Sequence, residues 1–378
     1  MKGSIKQRSP GSWQIRVFLG RDANGKIIRR NETVRGKKAD AERRLREILT
    51  ELDKGIAPPP ERYKLAQWLD KWMTDVIIPN RSQKTVDRYE GAIRLHILPH
   101  LGNVEIAKLA PRQVQDLEAK LLQGGMAPKG VQMIHNVLSG ALKHALRMEL
   151  VSRNPVSAVS PPAAPKVEAF TPDIAQVQAL LTVARADEIH RYLWACIHLT
   201  AYTGMRRGET LGLQWEDLDL DAQTLQVKAS LVVTRRGILL NPPKTASGLR
   251  TVDLDDRTVA VLREHRQGQL ELAAQLGVNP PETVFPRADL QGWCHPNTLA
   301  HAVSSLAKKA GCPQVTLRSL RHFHATVALH HNEEDPVVVS KRLGHSSVSI
   351  TTNIYAHVLP GWQRETAESF ARTMDAEP

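Results

Sequence analysis

The sequence predicts a multidomain chain built from three unlike parts. These are a small basic α+β segment, an all-α segment of four helices, and a larger mixed, mainly-α part with a small antiparallel sheet. Three observations lead there. The chain has 378 residues, more than one compact core organises. Two proline-rich stretches, GIAPPPER from Gly55 and PVSAVSPPAAPKVEAF over 155–170, read as extended linkers. Apolar periodicity changes at each of them, from alternating to helical to mixed.

Residues 1–55 make the first part. In SWQIRVFLG, Trp13, Ile15 and Val17 alternate with Gln14, Arg16 and Phe18, the pattern of a half-buried strand. Asn24-Gly25 marks a turn, IIRRNETVRG reads as a second strand, and a third is expected around it. Leu45, Ile48, Leu49 and Leu52 then recur at helical spacing until Gly55.

Residues 62–155 make the second part, with four apolar stripes. The first holds Leu65, Trp68, Leu69 and Trp72. The second follows Ser82 with Val86, Tyr89, Ile93 and Ile97. The third starts at Pro111, a favoured first helical position, with Val114, Leu117, Leu121 and Leu122. The fourth holds Val131, Ile134, Leu138, Leu142 and Leu146. Basic residues between the stripes, such as Lys84, Arg88 and Arg94, read first as a solvated face.

Residues 171–378 make the third part. Helices run through HRYLWACIHLTAYTG, strands from LQVKASLVVTRRGILL to LRTVDL, and helices again to the end. In the tail, Trp362, Ala367 and Phe370 lie at roughly helical spacing.

Charge narrows the function. The net charge is +12, and residues 1–55 carry 15 Lys and Arg against 7 Asp and Glu. That balance favours a polyanionic partner, nucleic acid above membrane. No apolar run approaches the ~20 residues of a membrane span, and MKGSIKQRSPGSW lacks the apolar stretch of a signal peptide. Three scattered cysteines, Cys196, Cys294 and Cys312, fit a reducing cytoplasm. Fifteen histidines occur without a Cys-x-x-Cys or His-Glu-x-x-His pattern, so no metal is expected. A phosphate-cradling G-x-x-x-x-G-K-[ST] loop is absent, which argues against an ATP motor.

What remains is an ordered series of polar residues. TAYTGMRRGETLGL places Arg206 and Glu209 three apart after a Thr-Gly turn, so the carboxylate can hold the guanidinium. NPPKTASGLRTVDL puts Lys244 near a turn between strands. TLRSLRHFHATVALH puts Arg318 and Arg321 one helical turn apart. KRLGHSSVS puts His345 after a glycine, near a helix start, and Tyr355 follows in TTNIYAHV. None of these is specific singly; their order is.

In that order the chain resembles the tyrosine recombinases of the phage-lambda integrase type, most closely in RLGHSSVSITTNIYAHV. The resemblance spans the whole chain. It implies an arm-type DNA-binding domain at 1–55, a helical core-binding domain at 62–155 and a catalytic domain with its C-terminal tail at 171–378. Residue by residue it implies that Arg206 and Arg321 are the two catalytic arginines and Glu209 the acidic residue behind the first. Lys244 is then the hairpin lysine, His345 the histidine of the Gly-His pair, and Tyr355 the nucleophile. Arg318 departs from the pattern, standing where the family carries a histidine.

The implied reaction is metal-free and cofactor-free transesterification of double-stranded DNA. The Tyr355 hydroxyl attacks phosphorus and forms a 3′-phosphotyrosine. Arg206 and Arg321 offset the charge of the pentavalent transition state, where losing one fixed donor costs ~10²–10³ in rate. Lys244 protonates the leaving 5′-oxygen, and His345 hydrogen-bonds the phosphate. Arg318 stays protonated, so it is read as an electrostatic residue and not as a base. The expected function is site-specific recombination that integrates and excises a mobile element. The expected setting is the cytoplasm, associated with the nucleoid, as a tetramer on DNA. A directionality factor and a DNA-bending host protein are further candidate partners, and no membrane is involved. Two other readings stand beside it: a catalytically dead recombinase scaffold that binds DNA, and a chromosome-dimer resolvase. The extra N-terminal segment speaks against the second.

Overall fold

The computed structural model describes residues 3–21, 27–53, 63–165, 170–187, 191–243, 246–330 and 334–355, with positions 368, 371, 372, 374 and 375 of the tail. The chain packs as two compact units, Met1–Pro165 and Lys166–Pro378.

In the first unit, strands β1 (Gly3–Ser9), β2 (Ser12–Arg21) and β3 (Ile27–Arg35) form an antiparallel sheet in the order β1-β2-β3. The third strand therefore precedes SWQIRVFLG instead of lying around IIRRNETVRG. Its only strong apolar residue, Ile5, pairs with Ile15 across the ladder, too little alternation to announce a strand. Helix α1 (Lys38–Asp53) is packed on the sheet. Ile15, Val17, Ala41 and Ile48 close that core. The other sheet face is exposed and basic, with Arg16 opposite Asn31 and Phe18 opposite Arg29. The Asn24-Gly25 turn and Gly55 lie outside the described residues.

The helical part of this unit holds a separate core around Leu65, Trp68, Leu69, Val114, Ile134, Leu138 and Leu142. Two of its four helical stretches are interrupted. Helix α2 (Leu65–Trp72) passes through a wide π-turn at Met73–Ile77 into α3 (Ile78–Asn80). Helix α4 (Gln83–Ala92) passes through another at Ile93–Ile97 into α5 (Leu98–Leu101). The cause is Pro79 in one and Pro99 in the other. A proline lacks the N–H for the carbonyl four residues back, and its ring crowds that carbonyl. A wider turn just ahead relieves both demands. Helices α6 (Pro111–Gln123) and α7 (Pro128–Arg147) complete the unit. Leu122 and Leu146 are 37% and 38% exposed. Each is the penultimate residue of its helix, where the last turn runs past the shared core.

In the second unit, α8 (Ile174–Ala186) starts at Asp173, whose carboxylate accepts the Gln176 N–H at 2.7 Å. Helix α9 (Trp194–Thr203) is apolar nearly all round and buried nearly all round, so it forms the axis of the unit. Helix α10 (Arg207–Leu211) follows. A three-stranded antiparallel sheet joins β4 (Leu218–Asp219), β5 (Thr224–Val227) and β8 (Arg250–Asp253), and β6 (Ser230–Thr234) pairs with β7 (Gly237–Asn241) as a hairpin. Helices α11 (Asp256–Leu276), α12 (Pro296–Lys309), α13 (Leu317–His330), α14 (Pro336–Leu343) and α15 (Val348–Tyr355) close the unit. Helix α13 packs along α9, and α14 packs on both α13 and α15. The three cysteines are buried and unbridged. Among the described residues no helix is long and apolar enough to cross a membrane.

Candidate active site

The site begins where α9 ends. Gly204 takes the left-handed conformation, φ +64°, and a Cβ there would lie 2.6 Å from Leu343 Cδ2 and 2.8 Å from His324 Cδ2. Only glycine turns the chain here while α13 and α14 approach so closely. Two residues on, Arg206 stands just before α10 and caps it. Its backbone N–H donates to Glu209 Oε2 at 3.0 Å, and its Nη1 donates to Glu209 Oε1 at 2.6 Å.

Glu209 is 3% exposed, so this is no surface ion pair. Its second oxygen accepts from Arg250 Nη2 at 2.9 Å. Burial acts to raise the Glu209 carboxyl. The bonded Arg250 guanidinium, with Arg206 behind it, outweighs burial and holds the carboxyl below its ordinary range. Glu209 is thus an anion between two cations. It orients Arg206 while leaving the site net positive.

The three arginines meet at the end of α14. The last carbonyls of a helix have no partner within it and carry the negative end of its dipole. Here each accepts from a different guanidinium. Arg250 Nε donates to Arg342 O at 2.6 Å, Arg321 Nη2 to Leu343 O at 2.9 Å, and Arg206 Nη2 to Gly344 O at 2.9 Å. Arg321 also donates through Nη1 to Gly204 O at 2.7 Å. So β8, α13 and the start of α10, far apart in sequence, are registered on three consecutive peptide groups. Gly344 is left-handed, φ +68°, and a Cβ there would lie 2.8 Å from Arg250 Nη1 and 2.9 Å from Ser247 O. That packing accounts for the glycine of the Leu-Gly-His sequence.

His345 follows Gly344, within the connection from α14 to α15. Its Nδ1 lies 2.7 Å from Thr351 Oγ1. Burial, then Arg321, Arg206, Arg250 and His322, lower its pKa to about 4, so the ring is uncharged near neutral pH. Arg318 is exposed on α13, with its Nε 3.4 Å from Nε2 of the buried His322. Burial, then Arg318 and Arg321, also keep His322 below its ordinary value. The structure therefore gathers Arg206, Glu209, Arg321 and His345 at one place and sets Arg318 beside them through His322. Tyr355 is the last residue of α15, and its side chain lies outside the described part. Lys244 lies outside the described residues altogether. Among the described residues no cluster of three or more His, Cys, Asp or Glu is placed to hold a metal ion.

Sequence reasoning missed Arg250, Arg342, His324 and Thr351. Arg342 donates from Nε to His324 Nε2 at 3.3 Å and from Nη2 to Asp253 O at 3.1 Å, tying α14 to α13 and β8. The one available signal was position. Arg250 follows Lys244 at the start of a strand, and Arg342 and Thr351 lie within the quoted motif.

The chain has counterparts among known proteins. A family model described as "Phage integrase family" matches residues 173–361, and "Phage integrase, N-terminal SAM-like domain" matches 64–122. "Tyrosine recombinase XerC-like" of Caldanaerobacter subterraneus subsp. tengcongensis is 28% identical over 374 residues, covering 94% of this chain and 95% of that one. Among solved structures, the Tn1549 transposon integrase in complex with transposon right end DNA aligns with a TM-score of 0.69 at 20% identity, over 82% of this chain and 100% of that one. A lambda integrase tetramer bound to a Holliday junction aligns at 0.55 and 17% identity, over 93% and 94%. These likenesses carry the fold. The first match covers half of the chain, and the arginines, Glu209 and His345 all fall within it, so the chain belongs to the phage integrase family.

Proposed function

We propose that the chain is a site-specific DNA recombinase that cuts and rejoins DNA through a covalent 3′-phosphotyrosine at Tyr355. The observation that carries the reading is the pair Arg206 and Arg321, anchored on adjacent carbonyls of Gly344 and Leu343. Two guanidiniums fixed side by side suit a phosphate and the trigonal-bipyramidal state it passes through. Each guanidinium carries five N–H donors. Arg206 remains 44% exposed after satisfying Glu209, which leaves donors for an outside oxyanion.

The Tyr355 oxygen attacks phosphorus, its proton passes to solvent water, and the bond from phosphorus to the 5′-oxygen breaks. Lys244 gives that oxygen a proton. Reversal by the same or another 5′-hydroxyl rejoins the strand and releases the tyrosine. The phosphodiester energy is stored in the covalent link, so no nucleotide is consumed. His345 and Arg318 serve the phosphate as hydrogen-bond donors. Residues 1–55 bind arm sites through the basic outer sheet face, 62–155 bind the core site, and 171–378 perform the chemistry. The substrate is the attachment site of a mobile element, and the working form is a tetramer in the cytoplasm. Support for the tetramer comes from the fold shared with the lambda integrase tetramer on a Holliday junction.

A nicked suicide duplex carrying a candidate attachment site tests the reading. Wild-type chain is expected to form a covalent DNA adduct, and Tyr355→Phe none. An absence of adduct with every attachment-site duplex, or an adduct that survives Tyr355→Phe, refutes it.

A further inference from the structure

We propose that Thr351 is a positioning residue that fixes His345 as its Nε2–H tautomer, so that His345 gives a hydrogen bond to the scissile phosphate and takes no proton from Tyr355. The second clause rests on the recombinase reading above; the first stands on the side chains alone.

Thr351 is 0% exposed and lies one turn before Tyr355 in α15. Its hydroxyl is 2.7 Å from His345 Nδ1. Among the described residues that nitrogen is its one hydrogen-bond partner. Thr200 and Thr203, buried in α9, give their hydroxyl hydrogens to carbonyls four residues back; Thr351 makes no such bond. A buried hydroxyl left without an acceptor is costly. The Thr351 hydrogen therefore points at Nδ1, and Nδ1 accepts with its lone pair. A neutral imidazole carries one N–H, which must then be on Nε2.

The surroundings keep the ring neutral. Arg206 from the start of α10, Arg250 from β8, and Arg321 and His322 from α13 all face it, and burial adds to their effect. A second ring proton would have to sit on Nδ1. That would turn Nδ1 into a donor against Thr351 and strand the hydroxyl hydrogen. The threonine thus opposes protonation of the ring by geometry, beside the electrostatic opposition of the arginines. His345 becomes a neutral donor added to two charged ones. Arg318, which stays protonated, has no free lone pair to offer either. Both groups nearest the role of base are donors.

Two measurements test this. Full-length chain with histidine labelled by ¹⁵N in the ring gives two-bond ¹H–¹⁵N spectra, with His345 assigned through His345→Gln. The expected pattern is a protonated Nε2 and a bare Nδ1 at neutral pH. A protonated Nδ1, whether as the other tautomer or as imidazolium, overturns the proposal. Second, the rate of covalent trapping on the suicide duplex is compared for Thr351→Val and Thr351→Ser. Valine keeps the shape without the hydroxyl and is expected to slow trapping about 10–100-fold, by analogy with the loss of a group that orients a metal-bound histidine. Serine restores the donor and is expected near the wild-type rate. Trapping by Thr351→Val at the wild-type rate overturns the positioning role. If Thr351→Val fails to fold, the wild-type ring spectrum still decides. If wild type traps no DNA, the recombinase reading fails while the spectrum reports on the tautomer separately.

Discussion

Arg250 shows how a residue behind the proposed phosphate site can set the position of one within it. Its side chain is 7% exposed, and it spans the Glu209 carboxylate, the Arg342 carbonyl and, at 3.2 Å, the Gly248 carbonyl. A planar fork reaches all three; a lysine ammonium is a point charge on a flexible stem. Arg250→Lys is therefore expected to slow covalent trapping by about tenfold or more, with duplex affinity in gel shift little changed, because charge is conserved. An unaltered trapping rate would show that Arg206 is placed without it. Arg206 and Glu209 were legible in the sequence because their relation is local, three residues across one helix start. Arg250 was not, because Glu209 and Arg342, through which it acts on the site, lie 41 and 92 residues away, and no periodicity reports such contacts. Thr351 was hidden for another reason: a threonine within a helical run looks like any packing residue until its hydroxyl has a partner.

At the scale of elements, the turns that close α9 and α14 do more than reverse the chain. Gly344→Ala would place a methyl 2.8 Å from Arg250 Nη1 in a left-handed backbone. The expected result is a lowered melting temperature, by the equivalent of about 1–3 kcal/mol, and a loss of trapping larger than the loss of folded protein explains. Equal losses of both would reduce Gly344 to a folding residue. The helical stripes, the Pro111 start and the strand-rich stretch of 224–253 were legible because period and punctuation agree there. The π-turns were not. Proline signals a break, but whether the helix stops or widens depends on the core behind it. Here Met73, Ile77, Ile93 and Ile97, all within the wide turns, are buried, so the helix gains by continuing.

For the whole molecule, charge sets both partner and tolerance to acid. Burial lowers His198, His324 and His345 from 6.5 to about 4, aided for His324 by Arg342 and for His345 by Arg321, while His198 is also pulled up by Asp255. In each case the unfolded chain binds the proton at higher pH than the folded chain. The stability they contribute is complete above about pH 6.5 and is lost as pH falls toward about 4. Glu209, also depressed, adds a loss below its ordinary range. Each pH unit is worth at most about 1.4 kcal/mol per group. The figure applies most fully to His198, which is 0% exposed, and is discounted for His345, partly open to water. The melting temperature of the full chain is expected to hold between pH 7.5 and about 6.5 and to fall from there toward pH 4. A flat profile between pH 6.5 and 4 would contradict the burial of these rings. Linkers and periodicity led to an expectation of three parts, whereas the chain packs as two compact units. The assembly of the site was not legible there, since it needs α10, β8, α13 and α14 brought together.

The anchoring of three guanidiniums on consecutive carbonyls has a mechanical consequence. A site whose arginines had separate supports would degrade one donor at a time as its parts shifted. Here all three share one short peptide segment, beside their separate bonds to Glu209, Gly204 and Gly248, so a displacement of that segment by about an ångström, more than the ~0.5 Å spread of hydrogen-bond lengths, breaks one bond of each at once. The placements of the three guanidiniums are therefore correlated. Whatever pushes or steadies the end of α14 is expected to shift all three guanidiniums in step.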